Sequence, residues 1–128
     1  MREKSSRPTD AELGILRVLW ERGPSTVREV YEALDRDRPV VYTTVLKLLQ
    51  IMTEKGLVTR EDAGRAHVYQ ARGSEEQAQR RLVGDLLDRA FGGSAQKLVL
   101  QALTARKASP EELAEIRRLL DTLEEGES

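Results

Sequence analysis

RPVVYTTVLKLLQIMTEK, residues 38–55, is the stretch whose reading decides the fold. Val41, Val45, Leu48, Leu49 and Met52 recur at helical spacing, so the segment reads as an amphipathic helix with one apolar stripe. Tyr42, Thr43, Thr44 and Lys47 fall largely off that stripe and gather hydroxyls, an aromatic edge and a cation near the helix start. A helix that turns long apolar residues inward and small polar groups outward at its N-terminal end suits a DNA major groove. An ordinary surface helix beside a β-hairpin would show much of the same pattern. The neighbouring segments bear on that choice.

Upstream, Thr9 is a candidate N-cap with Glu12 three residues on, the spacing of a capping box. The helix that follows turns Leu13, Leu16, Leu19 and Trp20 inward and ends before Gly23-Pro24, where proline cannot continue it. Ser25 is expected to cap a second helix, with Arg28 rather than an acid at its third position and Val27, Val30, Tyr31 and Leu34 facing inward. The charged residues 35–38 and Pro39 then form the turn before the third helix. Three short helices with tight breaks match a helix-turn-helix core.

Downstream, Gly56 precedes two alternating runs, residues 57–61 and 66–71, around Asp62-Ala63-Gly64-Arg65. They read as a hairpin in which Gly64 takes positive φ, which makes a wing on the three helices. Arg65 at its tip and Arg60 along its first strand are the cations that could meet phosphates or a minor groove. His67 is the only histidine and alternates in phase with Tyr69, so it is expected to be a partly packed strand residue.

Past Gly73 the pattern changes to three helices. Ser74 with Gln77 resembles a capping box before a helix carrying Leu82, Val83, Leu86, Leu87, Ala90 and Phe91. Gly92-Gly93-Ser94 is a break, and the next helix carries Leu98, Val99, Leu100, Ala102 and Leu103. Ser109-Pro110-Glu111-Glu112 combines a cap, a first-turn proline and acids at the positive helix end, ahead of Leu113, Ile116, Leu119, Leu120 and Leu123. These wide apolar faces lack a sufficient partner layer within one chain, and burial in a symmetric dimer is the simplest solution. The expected interface residues are Leu82, Leu86, Leu98, Leu103, Leu113, Ile116 and Leu120. Packing back on the first segment as a monomer is the alternative.

Composition narrows the function. The 128 residues suit one domain with an appendage, and 39% apolar residues with one Phe and one Trp mean a core of Leu, Val, Ile and Ala. The absence of cysteine excludes disulfides, thiolate metal sites and a thiol redox switch, and fits a cytoplasmic setting. No apolar run reaches membrane-spanning length, and residues 1–8 are too short and polar for a signal peptide, so no membrane insertion is expected. The net charge of −1 is unevenly spread: residues 1–72 hold 13 Lys/Arg against 11 Asp/Glu, and residues 73–128 hold 8 against 11. A mildly basic first segment can meet a duplex locally, though a second copy would be needed for tight binding. One histidine and no cysteine leave little material for a metal cluster or catalytic triad, the carboxylates sit at helix caps and surfaces, and Gly92-Gly93-Ser94 lacks the strand and lysine of a phosphate loop. Neither an enzyme nor a cofactor is expected.

Taken together, ELGILRVLW (12–20), TVREVYEAL (26–34), VYTTVLKLLQIMTEKGLVTRE (41–61), GRAHVYQA (64–71), FGGSAQKLVLQAL (91–103) and SPEELAEIRRLLDTLEE (109–125) resemble the BlaI/MecI family of winged-helix repressors, in the family's order. The resemblance covers nearly the whole chain. It implies a mainly α (α+β) protein: a winged helix-turn-helix DNA-binding domain at 1–72 and a three-helix dimerisation domain at 73–128. The function it implies is transcriptional repression by a homodimer on a palindromic operator in double-stranded DNA, in β-lactam-resistance-type regulation. Val41, Tyr42, Thr43, Thr44 and Lys47 fall where the family's recognition helix meets bases and phosphates, and Arg65 falls at the wing tip. In well-known members a membrane sensor of β-lactams triggers proteolysis in the dimerisation domain, which makes a sensor-linked protease a further implied partner. The staphylococcal pattern has an Asn-Phe bond after the LVL segment, and this chain has Gln101-Ala102 at the matching place. The cysteines of a copper-responsive branch are missing, so that metal-sensing mechanism does not transfer. The alternative from another class is a dimeric winged-helix protein-interaction module that does not read DNA sequence; the hydroxyls and Lys47 on the third helix separate the two.

Overall fold

The computed structural model describes residues 7–126. Helices α1 (Asp10–Arg22), α2 (Val27–Asp37) and α3 (Tyr42–Lys55) come first, with a two-residue strand β1 (Ser25–Thr26) between α1 and α2. Strands β2 (Val58–Ala63) and β3 (Ala66–Ala71) follow, then α4 (Glu75–Ala90), α5 (Ala95–Ala105) and α6 (Pro110–Gly126). The chain divides into two compact units that part between Arg80 and Arg81.

In the first unit, local chemistry sets each helix start. The Thr9 hydroxyl accepts from the Glu12 N–H while the Glu12 carboxylate accepts from the Thr9 N–H, a complete capping box for α1. The cap of α2 is Thr26, not Ser25: Thr26 and Glu29 make the same reciprocal pair. The reason is chemical, since a capping box needs an acceptor three residues on, and Arg28 has none to offer Ser25. Ser25 is instead buried in β1, where its hydroxyl donates to the Gly23 carbonyl at 2.8 Å. Each such cap is worth about 1 kcal/mol. Helix α2 runs on through Asp37, further than the expected turn at 35–38, and the Asp35 carboxylate accepts from the Val40 N–H at 3.1 Å across the bend.

The sheet has the order β1-β3-β2, all antiparallel, so β3 is its centre. Ser25 pairs with Tyr69 and Thr26 with Val68 on one side, while Val58 through Ala63 pair with Ala71 through Ala66 on the other. The second strand has its expected bounds, and the first runs two residues past Glu61. Ala63 pairs with Ala66, which leaves only Gly64 and Arg65 in the turn. Gly64 has φ +69 and no described non-glycine residue has positive φ, the combination of a two-residue II′ turn.

Ile15, Leu16, Leu19, Val27, Val30, Val45, Leu49, Met52, Val58 and Tyr69 form one core under the helices and the base of the hairpin. Ile15 is fully buried although it stood outside the expected α1 stripe. Val41 leaves the expected α3 stripe: it is the N-cap, is 62% exposed, and precedes the first helical turn that faces the core. Leu48 is only partly buried against that core.

Of the three remaining helices, α4 and α6 start at the expected caps, and α5 starts at Ser94, the last residue of the expected break. Ser74 and Gln77 exchange two hydrogen bonds at 3.0 and 3.1 Å, Ser94 accepts from the Lys97 N–H, and Ser109 accepts from the Glu112 N–H. Gly92 and Gly93 take φ +57 and +79, and the Gly93 N–H closes on the Leu87 carbonyl, which ends α4. Neither α4, α5 nor α6 contains a buried residue. No helix of the described residues is long and apolar enough to cross a membrane.

Candidate nucleic-acid interface

Helix α3 is held rigidly at its far end and left open at its near end. Val45, Leu49 and Met52 are sealed in the core at successive turns. At the C-terminus Gly56 takes the left-handed conformation, and the N–H groups of Gly56 and Leu57 return to the carbonyls of Thr53 and Met52, a Schellman closure. A third restraint comes from far away in the chain. Lys55 Nζ lies 2.7 Å from the Glu12 carboxylate, an ion pair with both side chains nearly out of solvent, tying the end of α3 to the start of α1. Burial alone would raise the Glu12 pKa; the Lys55 hydrogen bond and charge, together with the Thr9 N–H and hydroxyl, outweigh it and hold the carboxyl below its ordinary value. Glu12 therefore caps one helix and anchors another, and only the first role was visible in local spacing.

At the N-terminal end Val41, Tyr42, Thr43, Thr44 and Lys47 are all exposed. No side chain caps the first turn of α3, whereas a Thr or Ser caps each of the other five described helices. Its leading backbone N–H groups and positive dipole end lie beside the exposed hydroxyls of Thr43 and Thr44, donors suited to phosphate oxygens and base edges. Tyr42 is half covered. Its ring meets Tyr31 edge-on, with centroids 5.5 Å apart at an interplanar angle of 70°, and the Arg28 guanidinium lies 5.5 Å from the ring centroid. Tyr42 is thus both surface and brace, and Arg28 is a cation of this face that helical periodicity did not single out.

Only Gly56 and Leu57 separate α3 from the wing. Arg60 on β2 and Arg65 in the turn are both exposed. Every β2 residue after Val58 is exposed, so the hairpin runs past the edge of the core. His67 is exposed for that reason, in contrast to its expected packing with Tyr69, and its Nδ1 lies 2.6 Å from the carboxylate of Asp62, its cross-strand partner. Among the expected interface residues, Leu82, Leu98, Leu103, Leu113 and Ile116 are partly covered while Leu86 and Leu120 are exposed. Gln101 and Ala102 lie exposed inside α5.

A three-helix core with a β2–β3 wing and an open third helix is an arrangement shared with a known group. A model described as penicillinase repressor matches residues 8–122. The chain belongs to the penicillinase repressor family. It is 35% identical over 124 residues to the transcriptional regulator BlaI of Mycobacterium tuberculosis, covering 96% of this chain and 89% of that one. It is 25% identical to the penicillinase repressor of Bacillus licheniformis, over 93% of each chain. The solution structure of the DNA-binding domain of the repressor BlaI matches with a TM-score of 0.50 and 26% identity, over 55% of this chain and 85% of that domain. The penicillinase repressor family consists of transcriptional repressors, not enzymes.

Proposed function

We propose that the chain is a homodimeric transcriptional repressor that blocks a palindromic operator in double-stranded DNA. Residues 1–72 bind each half-site: the N-terminal turns of α3 read the major groove through Val41, Tyr42, Thr43 and Thr44, Lys47 meets phosphate, and Arg60 and Arg65 bring positive charge on the wing. Residues 73–128 hold the protomers together through the apolar faces of α4, α5 and α6. The observation that carries this reading is the division of α3, whose Val45, Leu49 and Met52 are sealed while Val41 to Thr44 and Lys47 remain in solvent. The family's named repressors, and the solved DNA-binding domain among them, support it.

Release by proteolysis or by another signal belongs to the same proposal, and Gln101-Ala102, which replaces the staphylococcal Asn-Phe, marks where a sensor-linked protease would have to cut. Both residues are helical, and a protease takes its substrate extended, so cleavage there requires α5 to unwind locally. A site in the cytoplasm follows from this role.

Selecting duplexes from a random pool with the full chain tests the reading. The expected product is an inverted repeat with half-site centres about 10 base pairs, or a multiple, apart, as two-fold docking requires. A pool that stays random after repeated selection would overturn sequence-specific repression.

A further inference from the structure

The uncharged turn at the start of α3 has a cation delivered to it from another helix. Val41, Tyr42, Thr43 and Thr44 bear no charge, and the first cation of α3 is Lys47, more than a turn inside. Arg28, the second residue of α2, fills this gap: its guanidinium lies over the Tyr42 ring, while Tyr31 braces the same ring edge-on. A guanidinium on an aromatic face keeps its in-plane N–H groups directed outward, which is the fork that phosphate oxygens match. The Arg28 side chain is well exposed, and among the described residues the carboxylate paired with it is that of Glu32, 3.7 Å away and beyond hydrogen-bond length. A phosphate could therefore replace Glu32 without disturbing the cation–π contact with Tyr42.

We infer that Arg28 is a phosphate-contacting residue of the DNA interface, held in place by Tyr42 and restrained by Glu32. This rests on the reading of α3 as the recognition helix. The position on α2, outside the groove-facing helix, assigns Arg28 to the backbone flanking the groove rather than to a base edge. Tyr42 then acts in two ways, facing the groove and orienting a cation beside it. Glu32 weakens binding, because its negative charge competes for the guanidinium and repels the incoming phosphate.

Fluorescence anisotropy on the selected duplex and on a random-sequence duplex, across a salt series, tests this with the full chain. Arg28→Ala is expected to weaken both complexes about five- to tenfold and to lower the salt slope by about 0.9 for each phosphate that is no longer neutralised. Arg28→Lys, which keeps the charge but loses the planar guanidinium fork, is expected to fall between Arg28→Ala and wild type. Glu32→Gln is expected to tighten both complexes. The effect of Arg28→Ala should persist on a Tyr42→Phe background, which keeps the ring, and shrink to less than about twofold on Tyr42→Ala, as coupled neighbours require. Thermal unfolding of each variant confirms that the exposed substitutions leave the fold in place. Unchanged affinity and slope for Arg28→Ala, with Lys47→Ala still weakening the complex, would overturn the Arg28 contact and leave the recognition helix standing. A loss confined to one base position would likewise overturn the phosphate assignment. If Lys47→Ala and Arg28→Ala both bind as wild type does, the proposed interface falls with the inference.

Discussion

Lys55→Ala is expected to destabilise the winged unit by about 3 kcal/mol at neutral pH, because it strands the Glu12 carboxylate in the core. Glu12 is buried at 2% exposure and has the Lys55 ammonium 2.7 Å away, so the loss is that of a desolvated charge and not of a surface ion pair. Replacing both residues with methionine should recover much of the loss, since a well-packed apolar pair of similar volume is often neutral relative to a buried ion pair. The sign of the pH dependence follows from the lowered Glu12 pKa. A carboxyl that is more acidic folded than unfolded contributes stability that is fully present above its ordinary value of 4.5. That contribution is lost as the pH falls through the lower folded value. Denaturant unfolding should therefore show a wide gap between wild type and Glu12→Gln at neutral pH that closes in acid. A Lys55→Ala midpoint equal to that of wild type at neutral pH would show that the pair does not anchor α3.

Leu98→Asp or Ile116→Asp is expected to weaken self-association by roughly a hundredfold or more, because each would place an unpaired carboxylate against an apolar partner surface. Both side chains are partly covered within their own chain, and Leu86, Val99, Leu100, Leu119, Leu120 and Leu123 remain exposed on the same three helices, which bury nothing fully. A surface of this kind calls for a partner. Sedimentation should show a wild-type dimer and monomeric variants at tens of micromolar. The variants should also lose tight operator binding, since one mildly basic winged unit presents few cations to a duplex. A monomeric wild type at those concentrations would contradict the dimer.

Local chemistry made most of the fold legible, and distant contacts set the limits. The starts of α1, α4 and α6 could be read because each cap lies within a few residues of its partners, whereas Ser94, the cap of α5, reads in the sequence only as part of a break. The same signal was present at the true start of α2, where Thr26 with Glu29 is a capping box, but the neighbouring Ser25 is the residue expected in its place. Strand β1 had no readable signal: two residues cannot alternate, and the pairing partners, Val68 and Tyr69, lie more than forty residues away. The Glu12–Lys55 pair and the Arg28–Tyr42–Tyr31 cluster were hidden for the same reason, since helical periodicity relates residues within one element and not between two. Val41 shows the converse limit. It satisfied the spacing of the stripe but stands before the first helical turn, so it lies in solvent. On α3 itself, Thr43, Thr44 and Lys47 lie off the buried stripe as their spacing implies.

The central claim is that the N-terminal turns of α3 read DNA, and competition binding with Thr43→Ala, Thr44→Ala and Lys47→Ala tests it most directly. If it holds, a threonine variant whose hydroxyl makes a specific contact should shift base preference by about 1–3 kcal/mol at one position of each half-site. Lys47→Ala should instead weaken all duplexes alike and lower the salt slope by about one phosphate contact per half-site. Unchanged preference, affinity and salt slope in all three variants would contradict it.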